Sequence, residues 1–295
     1  MTLAPVEVVE FTDPVCSWAW GTEPKLRLLR WRHEHKLAWR RVMGGLIHDL
    51  AATRPDWDPV RAAAPMQEYW QRVSTLTGQP YPHPMRRHLR STDPAGRAVK
   101  AAELQGEEVA QRLLRRIRES IFIFGVGPDT PESIAAASAG IDGLDLDRWR
   151  HDVESTEVAA AYAEDWAETR RPNEFVRTLT GDRAGIGSMK HSEGHDRYAF
   201  PTLIFRGPGG EATVPGWMPY EAYAAGIEQA EPGATADPRP DPTAAEAFER
   251  WPVLTAKELE VLCGPAAIAP PGTTVHNWGD GVAYFTPAEA HARNI

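Results

Sequence analysis

Cysteine is nearly missing from this chain of 295 residues: there are two, Cys16 and Cys263, too few and too far apart for the disulfide framework of a small secreted domain. The pair that a dithiol enzyme needs is missing too. A Cys-x-x-Cys motif built on Cys16 requires cysteine at position 19, where the chain has Ala19. Basic charge is also short: 32 Lys and Arg stand against 41 Asp and Glu, for a formal charge of -9. The acids are spread along the chain and leave no basic stripe of the kind that follows nucleic-acid phosphates, so DNA and RNA are discounted as partners. No apolar run approaches the length that crosses a bilayer, and no secretory signal pattern opens the chain. No membrane partner is expected, the expected location is cytoplasmic, and both thiols are expected to be reduced. No repeat recurs at a fixed period. Gly185-Ile186-Gly187 lacks the strand-before, helix-after setting of a nucleotide loop, and the glycines from Gly207 to Gly210 lead from one strand into another. No tightly bound cofactor is expected. His33 with His35 and His191 with His195 lack the setting of a metal pair, so no metal is expected either.

What is present is concentrated near the N-terminus. The apolar, β-branched run from Val6 to Phe11 leads into Thr12-Asp13-Pro14-Val15-Cys16 and then into a helical pattern. A cysteine at such a strand-to-helix junction has its sulfur over the first turn, where free N–H groups and the helix dipole favour a thiolate. Cys16 is therefore the candidate nucleophile. Asp13 beside it is positioned either to raise the thiol pKa or only to cap the turn. Tryptophan is abundant, with 11 in the chain, and Trp18 and Trp20 flank position 19.

Periodicity gives the element order. A helix is expected from Glu23 to His35 and a second strand from Leu37 to Met43, ended by Gly44-Gly45, which makes a right-handed βαβ unit. Helical spacing then recurs at Met66–Leu76, Gly96–Phe124, Pro131–Ala139, Leu146–Glu154 and Ser155–Glu168. Thr202–Phe205 and Ala212–Val214 make a hairpin across the glycine-rich turn, and Pro219–Glu228 makes a closing helix. This organises the chain as a core of residues 1–45 and 196–230, a helical insertion 46–195, a proline-rich linker 231–243 and an α+β appendage 244–295. Within the appendage, a hairpin is expected around Asn277-Trp278-Gly279-Asp280-Gly281. The stretch Arg171–His195, rich in glycine and charge, is expected to be a lid or an irregular loop.

A βαβ unit with cysteine at the first helix start, a helical insertion and a ββα unit opening on proline resembles the thioredoxin fold in its DsbA-like arrangement, an α/β fold. Thr12-Asp13-Pro14, Cys16, Trp18, Trp20, Glu23 and Pro24 resemble the predicted dithiol-disulfide isomerases of that superfamily. With Lys100–Gly106 and Leu113–Phe122, they also resemble its branch of adaptor proteins that deliver the Spx regulator to the ClpXP protease. The resemblance spans about residues 5–230. It implies that Pro201, between Phe200 and Thr202, is the cis proline facing the cysteine. It also implies a groove formed by Asp13, Trp18, Ala19, Trp20, Phe200, Pro201 and Thr202 that binds an extended peptide or a thiol-bearing ligand.

Ala19 departs from the family pattern and removes ordinary dithiol cycling. Three functions follow. The first is a thiol oxidoreductase or isomerase using Cys16 alone on a disulfide, thiol adduct or small electrophile, with a low-molecular-weight thiol as co-substrate. The second is a non-catalytic adaptor that binds a protein partner. The third is a small-molecule isomerase that depends on a thiol cofactor. Cys263 closes an apolar helical pattern and is expected to be packed rather than reactive.

Overall fold

The computed structural model describes residues 5–295 except 83, 86, 182–184, 186, 193 and 279–280. Strand β1 (Val6–Thr12) passes through Asp13–Val15 into helix α1 (Ser17–His33), and a short turn of 3-10 helix leads to β2 (Leu37–Met43). Val6 lies opposite Leu37 and Thr12 opposite Met43 in parallel register, as a single βαβ crossover requires. The insertion follows as α2 (Leu50–Thr53), α3 (Ala63–Thr77), α4 (Asp93–Glu103), α5 (Glu107–Phe122), α6 (Pro131–Ser138), α7 (Leu146–Asp152), α8 (Thr156–Thr169) and α9 (Glu174–Thr178). A small hairpin, β3 (Lys190–Ser192) with β4 (His195–Arg197), precedes β5 (Thr202–Gly207), β6 (Gly210–Pro215) and α10 (Tyr220–Ala230). The C-terminal part contains α11 (Ala244–Arg250), β7 (Val253–Thr255), α12 (Ala256–Cys263), β8 (Thr274–Trp278), β9 (Gly281–Phe285) and α13 (Pro287–Ala292).

The main sheet has the order β2-β1-β5-β6, with β5 antiparallel to both of its neighbours. Because β1 is central and covered on both faces, its sequence is an apolar run rather than an alternation. One face packs Val6, Val8, Leu203 and Phe205 against Leu26 and Leu29 of α1 and Tyr223 and Ile227 of α10. The other packs Val9, Phe11, Val42 and Ile204 around Cys16, Tyr198 and Phe200. The insertion has its own core, with Leu113, Ile117, Phe122 and Trp149 fully buried or nearly so.

Several elements differ from the periodicity. Helix α1 begins at Ser17, ahead of the expected Glu23, and so carries Pro24 inside it. Proline cannot donate to the Trp20 carbonyl four residues earlier; Gln79 Nε2 donates to that carbonyl instead, at 3.3 Å. The single helix expected over Gly96–Phe124 is two, because Gly106 takes φ +128°, a conformation that breaks the helix and suits only glycine. In the Arg171–His195 stretch, α9 is capped by the Asn173 side chain on Val176 N, and the β3–β4 hairpin pairs Lys190 with Arg197; Glu193 lies outside the described residues.

The C-terminal part does not hang free. Residues of the proline-rich segment run back along α1: Trp31 Nε1 donates to Pro240 O at 2.6 Å, Arg32 makes a two-point ion pair with Asp241, and Arg239 stacks over Trp31 at 3.4 Å. Leu28 and Trp31 then share a core with Phe248, Trp251, Leu254, Leu259 and Leu262. The expected hairpin is β8–β9, its tip 279–280 lying outside the described residues. It is joined by β7, a strand not expected from the periodicity, in the order β7-β9-β8. Phe285 and Val253 enter the core of the insertion.

Candidate functional site

Cys16 is the residue before α1 and takes extended φ/ψ of -70° and 113°, which holds its side chain at the helix start under the end of β1. Its backbone N–H donates to Asp13 O at 3.1 Å. Across the site the Phe200–Pro201 peptide bond is cis, and the Cys16 Sγ–H donates to the Phe200 carbonyl at 3.3 Å. The thiol is only 5% exposed, and Trp18, Leu46 and Met189 pack onto the cluster that contains it. Burial, reinforced by the Asp13 carboxylate, pushes the thiol pKa up to about 11, against a smaller opposing pull from the backbone N–H groups of Ala19 and Trp18. The helix start does favour the anion, as expected, but burial disfavours it more.

Asp13 is buried, and every donor aimed at it is accounted for. Oδ1 accepts from Val15 N at 2.9 Å; Oδ2 accepts from Leu46 N at 2.8 Å and from Thr92 Oγ1 at 3.0 Å. It thus ties the turn before α1 to the loop after β2. Burial raises its pKa to about 6, more than its hydrogen bonds and the charge of Arg197 lower it. On the other side of Gly44-Gly45, Met43 N donates to Asp165 Oδ2 at 2.9 Å, and Arg170 donates to the Gly44 and Gly45 carbonyls. The Phe200 ring lies where a Gly44 side chain would begin, so glycine is what lets the ring cover this turn.

The remaining expected groove residues are divided between site and core. Trp18 is half-buried at the site, donating from Nε1 to Tyr69 OH at 2.7 Å and facing Trp217 at 6.3 Å between ring centroids. Gly185, at φ +80°, sits where a Cβ would press on the Trp18 ring and the Trp217 Cβ; its neighbours Ala184 and Ile186 lie outside the described residues. Trp20 is corrected from groove to core: it is fully buried, donates to Pro80 O at 2.8 Å, stacks on Phe122 and lies under the Arg115 guanidinium. Ala19 is buried beside Cys16. Phe200 is buried under Arg197, 4.8 Å from its ring centroid. The Pro201 carbonyl accepts from Gly216 N at 2.7 Å, and Thr202 is buried with Oγ1 donating to Ala199 O. Cys263 is in another cluster, around Leu28 and Trp31. Leu46, Tyr69, Thr92, Met189 and Arg197 complete the site, and sequence reasoning missed them. Only Thr92-Asp93-Pro94, a helix-start pattern, signalled an element end there.

No group of three or more metal-ligating side chains occurs among the described residues, and no described helix is long and apolar enough to cross a membrane.

A family model described as thioredoxin matches residues 10–171. Among curated proteins, the ClpXP adapter protein SpxH of Shouchella clausii is 29% identical over 157 residues, 53% of this chain and 51% of that protein. The protein of the same name from Bacillus subtilis is 26% identical over 161 residues, again 53% of this chain and 51% of that protein. The chain spans about half the length of the curated relatives it matches. Among solved structures, a putative protein disulfide isomerase from Nitrosomonas europaea superposes with TM-score 0.57 at 18% identity, covering 76% of this chain and 96% of that one. The cytosolic disulfide reductase DsbM of Pseudomonas aeruginosa gives 0.51 at 16% identity, covering 76% and 93%. A probable DsbA oxidoreductase from Streptomyces coelicolor also gives 0.51 at 16%, covering 76% and 89%. At these identities the likeness is one of fold, and the fold is DsbA-like.

Proposed function

This chain belongs to the thioredoxin family, and from that premise we propose that it is a binding protein of the adaptor kind, which holds a protein partner and does not cycle a disulfide. The observation that carries this reading is the state of Cys16. Its sulfur is buried and hydrogen-bonded to Phe200 O, with burial pushing its pKa up, and position 19 offers no second thiol to release a mixed disulfide. The curated relatives are named ClpXP adapters, which supports a partner that is a protein destined for a ClpXP-type protease.

A second reading, turnover by the single thiol, is favoured by one feature: Sγ lies against the backbone of Phe200 at the start of β5. In that reading the segment bearing Met189 swings away. The deprotonated sulfur of Cys16 attacks a disulfide, one substrate sulfur leaves as thiolate, and a low-molecular-weight thiol then attacks the mixed disulfide, regenerating Cys16 and carrying off the other half.

One pair of measurements separates the two. A thiol pushed from about 9 to about 11 has roughly 100-fold less thiolate at neutral pH, so we expect alkylation of Cys16 in a Cys263→Ala background to be at least that much slower than for a free thiol. We expect wild type and Cys16→Ser to accelerate ClpXP degradation of an Spx-type client equally. Fast alkylation together with glutathione-dependent reduction of a disulfide substrate, lost in Cys16→Ser, would overturn the adaptor reading in favour of the single-thiol enzyme.

A further inference from the structure

Away from the thiol, between β1, β2, α1 and α5, the interior holds an unusual density of arginine. A cavity of about 20 Å³ is lined by Arg27, Arg30, Arg41, Arg115 and Arg118, with Glu10 and Glu23 as its acids. These guanidiniums are all nearly inaccessible, and most of their N–H groups are engaged. Arg118 donates to Glu23 at 2.6 Å and to Thr12 Oγ1 at 2.8 Å. Arg115 pairs with Glu119 and Glu258, Arg41 with Glu107 and Glu10. Arg30 donates to Gln111 and stacks over Trp39, and Arg27 donates to Val253 O.

Three donors are left over. Arg27 Nε, Arg30 Nη2 and Arg118 Nε are buried with no hydrogen-bond partner among the described residues, and all three residues line this one cavity. Arg27 Nε does lie 3.4 Å from Glu258 and 3.6 Å from Glu23, as ion contacts without hydrogen-bond geometry. Charged donors buried without an acceptor are costly, and three on residues that line one space ask for an acceptor there.

We propose that this cavity is a binding site for one small monovalent inorganic anion of halide size, held by Arg27, Arg30 and Arg118. The volume holds one such particle. A water molecule offers two acceptor lone pairs and must place two protons of its own, whereas a halide accepts from all three donors. The charges around the cavity are close to balanced: the five arginines face Glu10, Glu23, Glu119 and Glu258, buried or nearly so, and the more exposed Glu107, which lies 3.5 Å from Arg30 and 3.0 Å from Arg41. The crowding is visible in Arg30, whose pKa is pushed down to about 10 by burial and by the neighbouring Arg41 charge; an anion would relieve it. A larger cleft of about 280 Å³, between α5 and the C-terminal elements, borders the small cavity, with Glu23, Arg27, Gln111 and Arg115 lining both.

The test uses bromide. In thermal unfolding of the full chain, the midpoint should rise and saturate with sodium bromide and stay flat or rise without saturating in sodium gluconate at equal ionic strength. Bromide is the weaker stabiliser through general salt effects, so a bromide-specific rise reports binding. Crystals grown in bromide should show an anomalous peak in contact with the three guanidiniums. Arg30→Gln, which removes one charge-assisted donor, should weaken the bromide response about tenfold. Equal responses to the two salts, or solvent density without an anomalous peak at this cavity, would overturn the proposal. If Arg30→Gln does not fold, the wild-type bromide peak alone decides.

Discussion

Cys16 and Asp13 form one electrostatic unit. Burial pushes the thiol pKa up, with a smaller push from the Asp13 carboxylate, and burial raises the carboxyl itself. An acid whose folded pKa lies above its unfolded value contributes stability that is full below the unfolded pKa and is lost as pH rises through the folded one. Asp13 should therefore weaken the fold as pH rises through about 6. Glu23 and Glu119, held down at about 2 by their arginines, act oppositely: their contribution is present above the usual carboxylate range and is lost as pH falls through about 2. Asp13→Asn should flatten the decline between about pH 4 and about pH 6 in urea unfolding. It should also cost about 1–3 kcal/mol at the lower pH, because an amide cannot accept from both Val15 N and Leu46 N. A variant with the wild-type slope would show that another group carries it. The position of Cys16 was legible because strand, turn and helix start are local in sequence. Its burial was not, since Leu46, Met189 and Phe200 reach it from three distant segments.

Among the elements, α1 shows why local pattern misled. Trp18, Trp20 and Pro24 make a poor helical sequence, so Glu23 was the natural place to expect a start. The helix begins earlier because groups outside it supply what it lacks: Tyr69 for the Trp18 indole, Pro80 O for Trp20, and Gln79 for the carbonyl that Pro24 orphans. Gln79 also accepts from Thr255 Oγ1 at 2.6 Å, so one amide joins α1, the end of α3 and β7. We expect Gln79→Ala to destabilise by about 2–4 kcal/mol, since it leaves the Trp20 carbonyl and the Thr255 hydroxyl without partners. Gln79→Glu should keep the Thr255 bond and lose the other. Denaturant midpoints of the two variants check this. A change below about 0.5 kcal/mol for Gln79→Ala would mean that water replaces the amide freely. The β5–β6 hairpin and α10, by contrast, were legible from Pro201, the glycine turn and Pro219, because turn chemistry acts over a few residues.

For the whole molecule, the sequence suggested a core with an appendage beyond a linker, and composition alone supported that division. Amphipathic spacing shows that a helix has an apolar face without saying what it faces. Here the face of α11 and α12 finds Leu28 and Trp31 of α1, and Glu258 finds Arg115. The consequence is cooperative unfolding. We expect Phe248→Ala, at a side chain 5% exposed, to cost about 3–5 kcal/mol and to lower the unfolding midpoint reported by probes at both ends of the chain together. A free appendage would instead unfold first and leave the near-ultraviolet signal of Trp20 unchanged.

The contact that shelters Cys16 joins residues 184 positions apart, which gives the thiol a history as well as a place. At roughly 5–20 residues per second of synthesis, about 10–40 s separate the appearance of Cys16 from that of Phe200. β1 cannot pair with β5 until that stretch has been made. During this interval the sulfur belongs to an unfinished chain and has ordinary thiol reactivity. Its exposure to oxidants is therefore a property of translation speed, and the finished fold closes the window.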